Sequence, residues 1–324
     1  MDQIINHLNN GDHILVATHT DPDGDAIGSL IAIGLALTNL GKHVLFYNES
    51  PIPAVYRFLP GVSHVKNQLD PDGVYDTAVV VDCGDIGRVG MIADRILRIP
   101  VLINIDHHVT NTNFGTCQWL DFEACASAEI VFRLIEAMHI PISTDIATCI
   151  YTGILTDTGS FRFSNTNRAA FEICEKMITY GVNPFQVAQH VYGTYSLGRI
   201  KLLNRALDSI EISKNGKVSM MSVTRAMLEE TGTQPEDADG LINYAKRIQD
   251  VQVAVLIQEQ IPNGSENRNN GHTYHVSLRS DGTVDVAAIA ATFGGGGHVS
   301  AAGFTIKSSL SDVKNRICQL TECQ

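Results

Sequence analysis

The sequence predicts an α/β protein: a first domain with a mainly parallel sheet flanked by helices, a helical linker, and a smaller α+β domain. Three observations carry that prediction. In the first half of the chain, short runs rich in Val and Ile alternate with longer helix-period segments, as strand–helix–strand crossovers do. From Ser209 onward strand patterns outnumber helical ones. The length of 324 residues is about twice that of a usual domain.

Taken in order, His13–Thr18 reads as a strand, and Ala26–Leu40 as an apolar helix stopped at Gly41. His43–Asn48, Ala78–Asp82 and Val101–Asp106 are further strands. The run Val79–Val81 has the continuous apolar character of a strand covered on both faces. Helices are expected at Ala126–Met138, Asp145–Leu155 and Arg168–Tyr180. After Asn183–Pro184 the composition stays helical to about Leu207, a segment able to bridge two domains. The expected division is therefore 1–190, a linker 191–208, and 209–324. In the last part Val218–Val223, Val251–Glu259 and Thr273–Leu278 read as strands, with the Gly/Asn-rich Pro262–Gly271 as a hairpin loop.

The chain carries 23 Lys+Arg against 35 Asp+Glu, net −12, with a hydrophobic fraction of 44% and a charged fraction of 18%. These are the proportions of a folded globular protein. The acidity is uneven: residues 1–190 hold 10 basic and 21 acidic side chains, residues 191–324 hold 13 and 14. That balance argues against a track for long or duplex nucleic acid, which needs many Lys and Arg to neutralise phosphates. It suits metal ions and small phosphorylated substrates. The seven cysteines are odd in number and form no CxxC pair, so reduced, buried thiols are expected rather than disulfides or a zinc–thiolate site. Met1–Asp12 lacks an apolar signal core, and the long uncharged run Val286–Ile306 contains four consecutive glycines and a histidine. Neither reads as a signal peptide or a membrane span, and a cytoplasmic location is expected.

Four segments carry chemistry. His19-Thr-Asp-Pro-Asp23-Gly-Asp25 lies where a strand gives way to a helix and sets three metal-ligand residue types on one short loop. Capping of the following helix by Asp25 would account for one carboxylate, not for all three. Asp82 follows the apolar run Val79–Val81, where a charge needs a partner or a metal. Asp106-His107-His108 ends another strand; adjacent histidines in extended chain point to opposite sides, so one can ligate while the other handles protons or phosphate. Asp106 is placed to hold an imidazole nitrogen from behind. Asp157 interrupts an otherwise apolar helical segment, where a helix-terminating turn at Gly159 is the plainer reading. Four carboxylates and two imidazoles suit two divalent ions of the Mn²⁺ type. Phe161 and Phe163 alternate as in a strand, which suits core packing or stacking on a base.

The ordered motifs HTDPDGDAIGS, VVVDCGD, IDHH and GILTDTGSFRFSNT resemble those of the DHH phosphoesterase family, and Gly294–Gly303 is similar to the signature of its DHHA1 companion domain. Within that family the compact layout resembles nanoRNases that also act on pAp. The resemblance implies that His19 and Asp23 hold one metal, that Asp25, His107 and Asp157 hold the other, and that Asp82 bridges them. It makes His108 the group facing the substrate phosphate. It further implies phosphate contacts from Arg279, Gly295, Gly296, Gly297 and His298 in the second domain, with a cleft between the domains gripping a terminal phosphate. The expected activity is hydrolysis of short RNA oligonucleotides and of pAp, with cyclic or linear dinucleotides as the alternative substrates. Inorganic pyrophosphatase or exopolyphosphatase activity is a third alternative that shares the metal centre and differs in the second domain, whereas a non-catalytic nucleotide sensor would not need six metal ligands and an acid. The resemblance leaves homodimerisation open.

Overall fold

The structure is a computed structural model; it describes residues 1–193, 195–260 and 272–322. The chain divides into two compact units, Met1–Thr194 and Tyr195–Gln324.

In the first unit β1 (His13–Ala17), β2 (His43–Tyr47), β3 (Val65–Lys66), β4 (Thr77–Val81), β5 (Val101–Asp106) and β6 (Cys117–Leu120) form one sheet in the order β3-β2-β1-β4-β5-β6. Every neighbouring pair is parallel. Alternate residues feed two cores, as a pleated strand requires. Ile14, Val16, Val79, Val81, Ile103 and Ile105 enter the larger one, and Leu15, Ala17, Ala78, Val80 and Leu102 the smaller one on the other face. The helices are α1 (Asp2–Asn10), α2 (Gly24–Asn39), α3 (Ala93–Ile96), α4 (Ser127–Ala137), α5 (Thr144–Asp157), α6 (Arg168–Thr179) and α7 (Pro184–Tyr192).

Helix α2 is buried almost all round and packs closely on α5. The close approach depends on absent side chains. A Cβ on Gly28 would lie 2.5 Å from the Cys149 carbonyl oxygen, and one on Gly153 would lie 2.7 Å from Ala128 Cβ and 2.9 Å from Asp25 Oδ1. The helix starts two residues earlier than its apolar pattern suggests. Its cap is Asp23, whose side chain accepts from the Asp25 and Ala26 amides, and not Asp25.

In the second unit β7 (Glu211–Ile212), β8 (Val218–Val223), β9 (Val253–Glu259), β10 (His272–Ser280), β11 (Gly296–His298) and β12 (Ala301–Ser308) form a mixed sheet ordered β11-β12-β10-β9-β8-β7. Only β8 and β9 run parallel. Its helices are α8 (Leu197–Asp208), α9 (Arg225–Thr231), α10 (Ile242–Lys246), α11 (Val286–Ala291) and α12 (Leu310–Glu322). One face packs Val255, Val276 and Leu278 with Val286, Ile289 and Ile317 of α11 and α12. The other packs Met221, Val223 and Leu256 with residues of α8, α9 and α10. The helical stretch after Pro184 is thus two helices. Helix α7 belongs to the first unit, while α8 puts Leu202 and Ala206 into a core of the second. The segment Pro262–Gly271 lies outside the described residues, as does Cys323. Cys83, Cys117, Cys125, Cys149 and Cys174 are buried free thiols, and Cys318 is partly buried. Among the described residues no helix is long and apolar enough to cross a membrane.

Candidate metal centre

All six strands of the first sheet send their carboxyl ends to one edge, and the strand order reverses between β1 and β4. Chains leaving those two strands diverge and leave a crevice at the sheet edge, the usual place for a ligand. His19 follows β1 and Asp82 follows β4. Asp106 ends β5, with His107 and His108 next in the chain. The start of α2 brings Asp23 and Asp25, and the end of α5 brings Asp157.

The structure brings all six expected ligand residues together. Ligand atoms lie within 4.8 Å of one another in three groups: His19–Asp23–Asp82, Asp25–His107–Asp157, and Asp82–His107–His108. Asp82 is common to the first and third, and His107 to the second and third. Asp82 Oδ2 is 3.7 Å from His19 Nε2, and its Oδ1 is 3.8 Å from His107 Nε2. His107 Nε2 is also 3.7 Å from Asp157 Oδ2.

Neighbouring groups fix which nitrogen each imidazole presents. His19 Nδ1–H donates to the Thr20 carbonyl at 2.7 Å and His107 Nδ1–H to the Ala124 carbonyl at 3.3 Å. Each Nε2 is therefore the nitrogen presented to the carboxylates, the one able to ligate a metal. His108 is held through the same nitrogen, but by a carboxylate instead of a backbone carbonyl. Its Nδ1–H donates to Asp106 Oδ1 at 2.7 Å, and the fully buried Asp106 accepts from Asn111 Nδ2 at 2.6 Å through its second oxygen.

The carboxylates are held as firmly. Asp25 accepts from the Ser127 and Ala128 amides at 2.6 and 2.9 Å and from Ser29 Oγ at 3.0 Å, so the first turn of α4 points its donors at this side chain. Ser127 Oγ donates to Asp82 at 2.9 Å, and Asn165 Nδ2 to Asp157 Oδ2 at 3.0 Å. Sequence reasoning did not single out Ser29, Asn111, Ser127 or Asn165. Ser127 reads as an ordinary helix-start residue, and only the fold reveals that it serves two acids. Asp82 itself stands at φ 50°, in the left-handed region that Asp tolerates better than most residues.

The charge pattern fits cations. Burial, then Asp82 and Asp157, push the Asp25 carboxyl well above its usual range. Burial, then Asp23 and Asp82, do the same to Asp157. Burial also opposes the charge on Asp82, but His19, His108 and His107 outweigh it and hold this carboxyl down. Four crowded carboxyl groups with two imidazoles and no thiolate among them form a donor set suited to divalent ions with oxygen and nitrogen preference. His108 is raised to about 9: burial opposes its charge, and the hydrogen bond to Asp106 with the nearby Asp82 prevails.

In the second unit the glycine run is not a loose loop. The Gly294 and Gly295 amides donate to the Ala291 and Ala290 carbonyls and close the end of α11, so Gly295 offers no amide to a phosphate. Gly296 and Gly297 belong to the edge strand β11, and a Cβ on Gly297 would lie 2.4 Å from the Ala301 carbonyl oxygen. His298 ends that strand; its side chain lies outside the described residues. Arg279, on β10, stands opposite Ala254 and Ala301 of the flanking strands. Burial lowers the pKa of its guanidinium, and among the described residues no carboxylate pairs with it. Phe161 and Phe163 lie in a tight turn after α5, not in a strand.

Comparison with known proteins agrees with this arrangement. Residues 13–154 match the model of the DHH family, N-terminal domain, and residues 215–322 that of the DHHA1 domain. The chain is 33% identical over 299 residues to the bifunctional oligoribonuclease and PAP phosphatase NrnA of Thermus thermophilus, a match covering 91% of this chain and 84% of the relative. The crystal structure of an exopolyphosphatase-related protein from Bacteroides fragilis superposes with a TM-score of 0.89 at 26% identity, covering 99% of this chain and 95% of that one. The exonuclease RecJ bound to manganese shares the fold at a TM-score of 0.51 and 13% identity, over 98% of this chain and 92% of that one. Both family domains occur in order, and one relative at 33% identity spans most of the length: the chain belongs to the DHH phosphoesterase family, in its two-domain DHH–DHHA1 form.

Proposed function

We propose that the protein is a two-metal phosphoesterase that hydrolyses short oligoribonucleotides, about two to five units long, to mononucleotides and removes the 3′-phosphate of pAp to give AMP. The observation that carries this reading is the pair of donor groups linked through Asp82, in a chain related to an oligoribonuclease and PAP phosphatase. His19, Asp23 and Asp82 would hold one ion, Asp25, His107 and Asp157 the other, with Asp82 shared and Mn²⁺ the ion proposed. Bound there, a divalent pair lowers the pKa of water and balances the growing negative charge on the phosphoryl oxygens.

The chain's own side chains do the rest. Asp106 keeps His108 protonated at neutral pH and fixes its ring, so His108 is ready to donate to a phosphoryl oxygen or to the departing ribose oxygen. Ser127, Ser29 and Asn165 hold the ligating carboxylates in place without reorganisation. Arg279, poorly solvated and without a carboxylate among the described residues, is proposed to meet a substrate phosphate, with the edge strand Gly296–His298 two strands away in the same sheet. The acidic first unit disfavours long polyanions and leaves short ones as substrates.

The test is a substrate panel. Metal-depleted protein is given pAp, linear dinucleotides, RNA five-mers and twenty-four-mers, cyclic dinucleotides and pyrophosphate, each with Mn²⁺ or Mg²⁺. The expected order places pAp and the short RNAs well ahead of the twenty-four-mer. Fast cleavage of cyclic dinucleotides with little action on pAp would overturn the reading.

A further inference from the structure

The turn after Asp157 has a conformation that packing alone does not explain. Gly159, Ser160 and Phe161 stand in succession at φ 56°, 60° and 62°. A left-handed run is costly for the two residues that carry a side chain. The turn is also tightly braced. The Arg162 and Phe163 amides both donate to the Thr158 carbonyl, at 2.9 and 3.0 Å, and the Thr166 amide donates to the Phe163 carbonyl at 3.1 Å. Asn165 Nδ2 reaches the Cys125 carbonyl and both the carbonyl and the carboxylate of Asp157.

The two aromatic rings of this turn have opposite fates. Phe161 is half-buried and stacks on Phe171 at 5.0 Å, so it is spent on packing. Phe163 is 55% exposed. Three of its ring carbons would lie 2.5–2.6 Å from a Cβ on Gly159, so the ring rests on the one residue in the turn with no side chain to lift it. Beside it Arg162 is exposed, its Nε–H donating to the Gly159 carbonyl at 2.5 Å, and among the described residues no carboxylate pairs with it. A flat ring is thus fixed against backbone on one side, open on the other, and anchored through Asn165 to the carboxylate of Asp157.

We infer that Phe163 is a stacking platform for a nucleobase of the substrate, a specificity-determining residue for the reaction proposed above. The inference rests on that reading and deepens it. The strained turn sets the height and tilt of the ring before substrate arrives, so the base stacks without first ordering a loop. Stacking depends only on a π-face, so the platform accepts any base while rejecting phosphoesters that have none.

The experiment compares pAp with ribose 3′,5′-bisphosphate, the same two phosphates on a sugar without a base. In the wild-type protein pAp has the higher kcat/KM. In Phe163→Leu the preference falls about tenfold or more, through a higher KM for pAp. In Phe163→Trp, which restores a π-face, the preference returns. An unchanged preference in Phe163→Leu, or equal losses on both substrates, overturns the platform while leaving the proposed activity in place. A wild-type protein that turns over neither pAp nor short RNA overturns the proposed function and this inference with it.

Discussion

Among the described residues the two sheets of this protein have six strands each, yet one gathers a dense set of ligand-type side chains and the other does not. In the parallel first sheet every strand ends at the same edge, so residues far apart in sequence arrive at one place. His19, Asp82 and the Asp106–His108 stretch reach it simply by following a strand. The second sheet is mostly antiparallel, and its connections alternate between opposite edges. A sheet of that kind offers a face rather than an edge, and the substrate contact proposed for Arg279 would come from that face. Strand direction, more than composition, decides which unit is built to hold ions.

The largest effect expected from this contrast is at Asp82. Replacement by Ala removes the one carboxylate common to two donor groups. Hydrolysis of pAp is expected to fall about a thousandfold or more, since even groups that merely brace a metal ligand are worth about 10–100-fold. Near-wild-type turnover in that variant would break the bridging assignment. A smaller effect is expected in the second sheet. Arg279→Met is expected to raise KM for pAp about tenfold, the worth of a charge-assisted hydrogen bond. Its thermal stability should hold, because the variant no longer desolvates a cation that lacks a carboxylate partner among the described residues. A more stable variant with unchanged KM would make Arg279 a packing residue only.

The smallest effect contrasts the two edges of the first sheet. Asp76 sits at the amino edge and accepts from the Asp12 and His13 amides at 2.9 and 2.8 Å. Burial works against its charge, but these amides prevail and lower its pKa. A carboxyl whose folded pKa is depressed stabilises the fold above its unfolded pKa of about 4, and that contribution is lost as the pH falls through the folded value. Urea unfolding should therefore show Asp76→Asn about 1 kcal/mol less stable than wild type at neutral pH, the gap closing in acid, with metal affinity untouched. A gap that persists in acid would mean that the amide contacts, not the charge, hold this edge together.

How much of this was legible beforehand follows from what each residue depends on. The strands of the first sheet announced themselves because both faces are buried, which writes Ala78–Val81 as a continuous apolar run and leaves Asn104 as the one polar residue between Ile103 and Ile105. His19, Asp82 and His107 stood out because polar side chains interrupt such runs where the strands end. Ser127 did not, since its importance lies in reaching Asp25 and Asp82, residues 102 and 45 positions away. Strand β12 was hidden for another reason: it opens with Ala301, Ala302 and Gly303, small residues that look like loop until β10 pairs with them. The Phe161–Phe163 alternation misled, because a left-handed turn separates the two rings as effectively as a pleat does. In the glycine run the sequence suits phosphate contacts, whereas the fold shows that Gly294 and Gly295 spend their amides closing α11.

The left-handed backbone at Asp82 has a consequence for how this position can change over time. Few side chains accept such a φ: Gly, Asn and Asp foremost. Bulky or β-branched replacements are disfavoured by the chain itself before any question of chemistry arises. Of the three that remain, only Asp brings a negative charge, and Asn keeps the shape while discarding it. Local geometry and electrostatics therefore screen the same site independently, and their overlap contains a single amino acid. A natural relative carrying Asn or Gly there would keep its fold and its crevice and give up the charge, marking a lineage that has left hydrolysis behind.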